Sequence, residues 1–273
     1  MNGFPPIVEV SVNGQLISCM FQKRGDESIL FVHGFGASKE TFLEAFKRKE
    51  VQSFTMLATD LLGFGDSDKP VNFSYTMEDQ AKILIKTVDL LGLDRFHLIG
   101  HSMGGIVGIE LGEMIPDRFY SFINIEGNIT AEDCTMSKRV ADMGEQYFAR
   151  EGFDQLRRSI AEESERTQDK PLKDYLKSLS KATPKALYKS SISTVHESNF
   201  GDLLTRFAQL PFYKCYIYGE KNKGVFPAET MLKQEGIPLF YVSKSGHSPM
   251  KENPDEFYAL ISSVISRCTR VQA

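Results

Sequence analysis

The 273-residue sequence contains no tryptophan, no long apolar run and no paired cysteine motif. No apolar stretch approaches the roughly 18 residues that a membrane-spanning helix needs, so we expect no membrane partner. The N-terminal stretch MNGFPPIVEV lacks the basic start and the apolar segment of a secretory signal peptide. These absences favour a cytoplasmic location.

The spacing of the cysteines also argues against a metal site. None of the four belongs to a C-x-x-C pair or has a zinc-like spacing to histidine. We therefore expect reduced thiols, no metal site and no cofactor. The four are Cys19, Cys134, Cys215 and Cys268.

Charge is spread evenly along the chain. The net charge is −4 and acidic and basic residues are interspersed. A nucleic-acid-binding protein concentrates lysine and arginine on one face, and this sequence has no such stripe, so we expect no nucleic-acid partner. The hydrophobic content of 41% is ordinary for a globular protein, and the length suits one domain or one domain with an insertion.

Short apolar runs alternate with helical segments through most of the sequence. SILFVHGFG, FTMLATD, FHLIG and CYIYG each contain a predicted buried strand. TMEDQAKILIKTVDLLG predicts a helix that Thr76 caps, with Asp79 three residues on, and that Gly92 ends. This alternation predicts a parallel sheet covered by helices on both faces. Asn13-Gly14 predicts a hairpin that adds an antiparallel edge.

Residues 127–201 break this alternation. The segment is rich in charge, has helical patterning and contains no convincing strand. We interpret it as a helical insertion between two strands.

The stretch LIGHSMGGIVG contains the pattern G-x-S-x-G, with Ser102 at its centre, between a predicted strand and a predicted helix. Gly100 and Gly104 permit a turn so sharp that side chains there would clash, and the turn presents the serine oxygen at the carboxyl edge of the sheet. The adjacent helix N-terminus favours developing negative charge. Ser102 is therefore the predicted nucleophile.

Four motifs together resemble those of the α/β-hydrolase family, in particular its esterases and C–C hydrolases. They are VHGFGAS, DLLGFGDSDKP, GHSMGG and SGHSPMKENPDEF, and they occur in the family's order between residues 29 and 257. The resemblance implies an α/β-hydrolase fold, with a mostly parallel eight-stranded sheet and helices on both faces. It also implies a core of residues 1–126 and 202–273 and a helical cap at 127–201.

The resemblance also implies partners for the nucleophile. In this family the chain order is Ser, acid, His, which indicates His247 as the base, with His196 as the weaker candidate. The backbone N–H groups of Met103 and Phe35 would form the oxyanion hole, and their apolar side chains favour a hydrophobic acyl site. Asp60 is expected to organise its own loop.

Three residues compete for the role of the acid. The usual family position after the strand CYIYG holds Asn222, whose amide carries no charge. Glu220 lies two residues earlier on the same loop. Glu126 ends the preceding strand, FINIE, and because parallel strands end at one edge it also faces His247. Some haloalkane dehalogenases have a glutamate acid at this earlier strand end, and this resemblance favours Glu126, with Glu220 and Asn222 as alternatives.

These residues and the resemblance favour a serine hydrolase of the carboxylesterase type, acting as a monomer or homodimer on a small-molecule acyl substrate. The substrate would be a small ester, lactone or thioester. One alternative is a C–C bond hydrolase of a vinylogous diketone. The nucleophile motif of that branch resembles G-N-S-M-G-G, whereas this chain has His101 in place of the asparagine. The other is a non-catalytic small-molecule receptor on the same fold.

Overall fold

An eight-stranded sheet lies at the centre of the computed structural model, which describes residues 5–272 and the side chains of residues 5–268. The strand order is β1-β2-β4-β3-β5-β6-β7-β8, and only β2 runs against its neighbours. This is the predicted mostly parallel sheet. The strands are β1 (Ile7–Val12), β2 (Gln15–Gln22), β3 (Ser28–Val32), β4 (Thr55–Thr59), β5 (Phe96–His101), β6 (Phe119–Ile125), β7 (Tyr213–Gly219) and β8 (Leu239–Val242).

Helices connect the strands and cover both faces of the sheet. Thr76 caps the first helix as predicted, since its hydroxyl accepts a hydrogen bond from the Asp79 N–H at 3.2 Å. The α-helices are α1 (Met77–Leu90), α2 (Met103–Met114), α3 (Thr135–Asp142), α4 (Glu145–Tyr147), α5 (Phe153–Thr167), α6 (Lys170–Leu179), α7 (Pro184–Phe200), α8 (Leu203–Gln209), α9 (Pro227–Gln234), α10 (Pro249–Glu252) and α11 (Pro254–Gln272).

The predicted hairpin joins β1 and β2. Val12 pairs with Gln15 across the turn, and Asn13 and Gly14 both have positive φ, at 53° and 78°. Two consecutive left-handed residues define the hairpin turn that Asn-Gly sequences favour.

The sheet separates two apolar clusters because successive strand residues point to opposite faces. In β5, Leu98 belongs to the cluster beneath α1 and α2, whereas Ile99 belongs to the cluster that α11 covers. All strand positions from Phe96 to His101 are buried, as expected for a strand covered on both sides.

The register of the central strands places their carboxyl ends at one edge. His101 pairs with Ile125, and Ile125 pairs with Ile217. The residues that follow β5 and β6 are Ser102 and Glu126, so the register brings these two residues to neighbouring positions.

Helices α3 to α7 fill the segment between β6 and the short helix α8, and the structure contains no strand between residues 127 and 201, all of which it describes. These helices contact the core at several points. Ser193 accepts a hydrogen bond from the Met77 N–H at 3.1 Å, and the hydroxyls of Ser178 and Ser38 lie 2.7 Å apart. The insertion therefore rests on the carboxyl edge of the sheet.

A buried charge cluster holds two loops of that edge together. Asp60 is fully buried and accepts hydrogen bonds from the Lys39 backbone N–H at 2.6 Å, the Lys39 ammonium at 2.7 Å and the Asp66 N–H at 2.7 Å. The expectation that Asp60 organises its own loop was therefore incomplete, because it also fixes the loop after β3. Burial disfavours the Lys39 ammonium, but the charge of Asp60 and its hydrogen bonds raise the pKa of Lys39 overall.

Replacement of Lys39 by methionine should lower the free energy of unfolding by about 3–5 kcal/mol, because it leaves the Asp60 carboxylate buried without its cation. Urea denaturation followed by circular dichroism measures this change. Lys47→Met is the matched control, since Lys47 is half-exposed and pairs with Glu44 on the surface. A loss for Lys39→Met no larger than that of the control would refute the assignment.

Candidate active site

Ser102 lies on a sharp turn between β5 and α2. Its φ is 53°, a left-handed conformation that a residue with a side chain rarely adopts. The Ser102 N–H donates to the Ile125 carbonyl at 2.9 Å, which ties the turn to β6. A Cβ at Gly104 would lie 2.4 Å from the Val32 carbonyl oxygen, so only glycine allows α2 to approach β3 this closely.

Two backbone N–H groups face the space beside Ser102. Phe35 follows β3 in the Gly34 loop, and Met103 is the first residue of α2. Neither N–H has an acceptor within the part of the chain that the structure describes. Both residues line the same cavity as Ser102, so the two donors remain available to an oxygen atom bound there.

His247 lies on the loop between β8 and α10, and its side chain is half-exposed. His247 and Ser102 line one cavity, although no hydrogen bond joins their side chains among the described residues. The His247 Nδ1 atom lies 3.7 Å from Oε2 of Glu126, which is longer than the hydrogen bond we expect of a triad acid.

Glu126 directly follows β6, and its side chain is only 3% exposed. Its φ of 48° makes it a second left-handed residue at the same sheet edge. The carboxylate accepts a hydrogen bond from the Gly219 N–H at 2.7 Å on one oxygen and from the Asn222 side-chain amide at 3.0 Å on the other. A buried carboxylate needs such partners, and these two hold it facing the histidine loop.

The two alternative acids are placed differently. Glu220 is exposed, and its carboxylate accepts a hydrogen bond from the Lys244 N–H at 3.2 Å. Asn222 donates its amide to Glu126, so it contacts the candidate acid and not the imidazole. The loop after β7 therefore contributes a hydrogen-bond donor to this site, where the family pattern would place a carboxylate.

His101 is a residue whose contribution sequence reasoning missed. Its Nε2 lies 2.7 Å from the His247 carbonyl oxygen, and because a carbonyl only accepts, Nε2 carries the proton. Burial, and next the neighbouring His247 ring, lower the pKa of His101 and keep it neutral. The residue before the nucleophile thus holds the backbone of the histidine loop.

The other histidines have separate roles. His33 lies between the Gly34 carbonyl at 2.8 Å and the Leu61 N–H at 3.1 Å, so it connects the loops that follow β3 and β4. His97 is buried in β5 with Nδ1 2.8 Å from the Ser121 hydroxyl. His196 is exposed on α7 and does not line the cavity.

The cavity beside Ser102 has a volume of about 310 Å³. Core loops and helices of the 127–201 segment both line it, so the insertion forms one wall. That volume lies at the lower end of the range of about 300–1,000 Å³ for ligand sites, which indicates a small ligand. Its apolar lining residues are Phe35, Ala37, Met103, Met136, Pro171, Leu172 and Tyr175.

Within the described chain, no cluster of histidine, cysteine, aspartate and glutamate has the geometry of a metal site. Between residues 5 and 272, no helix combines the length and the apolar character needed to cross a bilayer. All four cysteines are buried free thiols.

A family model described as the alpha/beta hydrolase fold matches residues 27–245. This match covers most of the chain, and the protein therefore belongs to the alpha/beta hydrolase family.

Two curated relatives match part of this chain. The probable lysophospholipase BODYGUARD 5 of Arabidopsis thaliana is 39% identical over 101 residues. These residues cover 35% of this chain and 23% of that protein. Lipase 1 from Psychrobacter immobilis is 33% identical over 91 residues, which cover 33% of this chain and 28% of that protein. The matching segments span a third or less of these relatives.

Solved structures match over nearly the full length. The N-acyl homoserine lactonase AidH superposes with a TM-score of 0.77 at 19% identity, covering 97% of both chains. An esterase from Thermogutta terrifontis superposes with a TM-score of 0.74 at 22% identity, covering 96% of this chain and 99% of that one. At such identities the likeness establishes the fold.

A fluorophosphonate probe should label Ser102, because the turn presents its hydroxyl to the cavity beside two unoccupied N–H donors. Mass spectrometry of the digested protein locates the adduct. Ser102→Ala should abolish labelling, whereas Ser248→Ala, which removes a second serine of the same cavity, should retain it. An adduct on any other residue would contradict the assignment.

Proposed function

We propose that the protein is a serine hydrolase that cleaves a small carboxylic ester, lactone or thioester through an acyl-enzyme on Ser102. One observation carries the proposal: a strained serine, a histidine and two unoccupied backbone donors share one small cavity. Family membership and the names of the partial relatives, which include a lipase, support the same reaction class.

In the proposed reaction, His247 removes the Ser102 hydroxyl proton as the oxygen attacks the substrate carbonyl carbon. The Phe35 and Met103 N–H groups donate to the oxyanion that forms. The carbon–oxygen or carbon–sulfur bond then breaks, and His247 returns the proton to the leaving group. Water, activated by the same histidine, releases the acid product from Ser102.

Glu126 is the proposed acid of this triad. Its carboxylate is 3.7 Å from His247 Nδ1, and we propose that this distance shortens when the imidazole becomes charged. Asn222 and the Gly219 N–H hold the carboxylate in place. Glu126 then fixes the tautomer of His247 and stabilises the imidazolium.

We propose that residues 127–201 act as a cap on a core of residues 1–126 and 202–273. Met136, Leu172 and Tyr175 of this segment line the cavity opposite Ser102. The cap would select substrates by shape, while the core performs the chemistry without metal or cofactor. A cytoplasmic monomer or homodimer is the form we propose, and the free cysteines support that compartment.

Hydrolysis of p-nitrophenyl butanoate tests the function and the acid together. Glu126→Gln should lower kcat by about 10³–10⁴, because a neutral amide neither fixes the tautomer of His247 nor offsets its charge. Glu220→Gln is the matched control and should stay within about threefold of the wild type, since its carboxylate faces solvent and Lys244. Ser102→Ala should lose at least about 10⁴ in kcat.

Further results distinguish Glu126 from the other candidate acids and an enzyme from a receptor. Asn222→Asp should partly restore activity to Glu126→Gln, because it places a carboxylate on the same loop. Equal losses in Glu220→Gln and Glu126→Gln would remove Glu126 as the acid. Absence of hydrolysis of any acyl ester by the wild type would favour a receptor.

Leu172→Ala should change the dependence of kcat/KM on acyl chain length, because Leu172 lies on α6 in the cap wall of the cavity. A panel of p-nitrophenyl esters from two to eight carbons measures this. The rate of labelling by a small fluorophosphonate should change much less, because that reagent does not need the enlarged space. Equal effects on long esters and the small reagent would contradict a cap that selects by shape.

A further inference from the structure

Lys251 contributes a lysine side chain to the wall of the candidate active site. It lies on α10, four residues after His247, and lines the same cavity as Ser102. The residue is half-buried, whereas most lysines of the chain are exposed.

The ammonium of Lys251 has no hydrogen-bond or ion-pair partner in the part of the chain that the structure describes. The carboxylates that line the cavity are all engaged. Asp133, Asp169 and Glu252 each accept hydrogen bonds from backbone N–H groups at 2.7–3.0 Å. Lys251 thus differs from the carboxylates that line the cavity, because its ammonium has no hydrogen-bond or ion-pair partner among the described residues.

The carboxylates whose charge acts on Lys251 are also paired with other lysines. Asp174 and Glu40 exert a field on Lys251, but Asp174 pairs with Lys177 at 2.9 Å and Glu40 with Lys39 at 3.4 Å. Neither carboxylate lies within ion-pair distance of Lys251. Burial lowers the pKa of Lys251, with Lys177 adding repulsion, so the charged form lacks a compensating partner inside the protein.

A half-buried ammonium that lines a cavity without a counter-ion is available to an anion bound there, and a compact point charge of this kind binds carboxylate well. We propose that Lys251 binds a second, anionic group on the substrate, a carboxylate remote from the bond that is cleaved. This inference rests on the proposed function and narrows its substrate class. Hydrolysis of such an ester adds water across the acyl–oxygen bond and releases a dicarboxylic acid and an alcohol.

The size and lining of the cavity agree with such a substrate. At about 310 Å³ it admits a short chain between the carbonyl carbon at Ser102 and a carboxylate at Lys251. The apolar side chains of Phe35, Met103 and Leu172 would contact the methylene groups between the two ends.

A pair of esters of equal chain length tests the inference: mono-p-nitrophenyl adipate and p-nitrophenyl hexanoate. The ratio of kcat/KM, adipate over hexanoate, should fall by about ten- to hundredfold in Lys251→Met, mainly through KM, because the variant loses a charge-assisted hydrogen bond. Lys251→Arg should retain more of the ratio than Lys251→Met. Lys138→Met is the control and should leave the ratio unchanged, because Lys138 is exposed on α3, pairs with Asp142 and does not line the cavity.

An unchanged ratio in Lys251→Met would overturn the inference. An equal fall in Lys138→Met would also overturn it, since a general surface potential would then explain the preference. Circular dichroism and the hexanoate rate show whether Lys251→Met is folded. If the wild type hydrolyses the hexanoate ester but Lys251→Met does not change the adipate-to-hexanoate ratio, the anion site is refuted and the proposed function stands.

A binding measurement separates this inference from the reaction itself. Calorimetry with free adipate should detect binding to Ser102→Ala, in which no turnover occurs, and none to the Ser102→Ala, Lys251→Met double variant. Equal binding to both proteins would exclude Lys251 as the anion site, even if the enzyme hydrolyses esters. Binding to Ser102→Ala alone would support it, even if the serine chemistry proved wrong.

Discussion

The parallel register of β5, β6 and β7 is the constraint on which the site depends. It sets His101 beside Ile125 and Ile125 beside Ile217, so that the next residues of adjacent strands meet at one edge. A slip of one residue would move Glu126 by about 3.3 Å and turn its side chain to the opposite face. Burial of β5 and β6 on both faces prevents that slip, because every apolar contact would change with it.

Backbone strain at this edge follows from the same register. Ser102 and Glu126 both adopt left-handed conformations, each of which costs about 1–3 kcal/mol for a residue with a side chain. Each N–H nevertheless donates to the neighbouring strand, to Ile125 and Ile217, so the sheet holds both turns in place. The strain turns both side chains out of the sheet toward the cavity and the histidine loop.

The sheet, the hairpin, the capped first helix and the serine turn could all be predicted, because each depends on residues close together in sequence. Thr76 caps a helix through Asp79, three residues on, and Gly104 supports a turn two residues away. The contacts that orient the site join residues far apart in the sequence. Glu126 and Asn222 are separated by 96 positions, and His101 and His247 by 146.

Such long-range contacts have no local signal, which explains what the sequence could not reveal. The hydrogen bond between His101 Nε2 and the His247 carbonyl becomes visible only once the two loops are placed. In the sequence, Lys251 is one charged residue in a polar helix turn. The structure shows that Asp174 and Glu40 each lie beside another lysine and that, among the described residues, the Lys251 ammonium has no ion-pair partner.

The asparagine at position 222 is consistent with the placement of the carboxylate at 126. One imidazole needs one anion, and two carboxylates on the same histidine would repel each other and raise the pKa of one of them. An aspartate at 222 beside Glu126 would create that pair, whereas the amide of Asn222 donates a hydrogen bond to the carboxylate. Together with the Gly219 N–H it donates to both oxygens of Glu126, which gives the buried carboxylate the hydrogen-bond partners that it needs. The loop after β7 thus stabilises the Glu126 carboxylate at the end of β6. A glutamate at 126 and an amide at 222 are compatible, whereas two acids at these positions would compete.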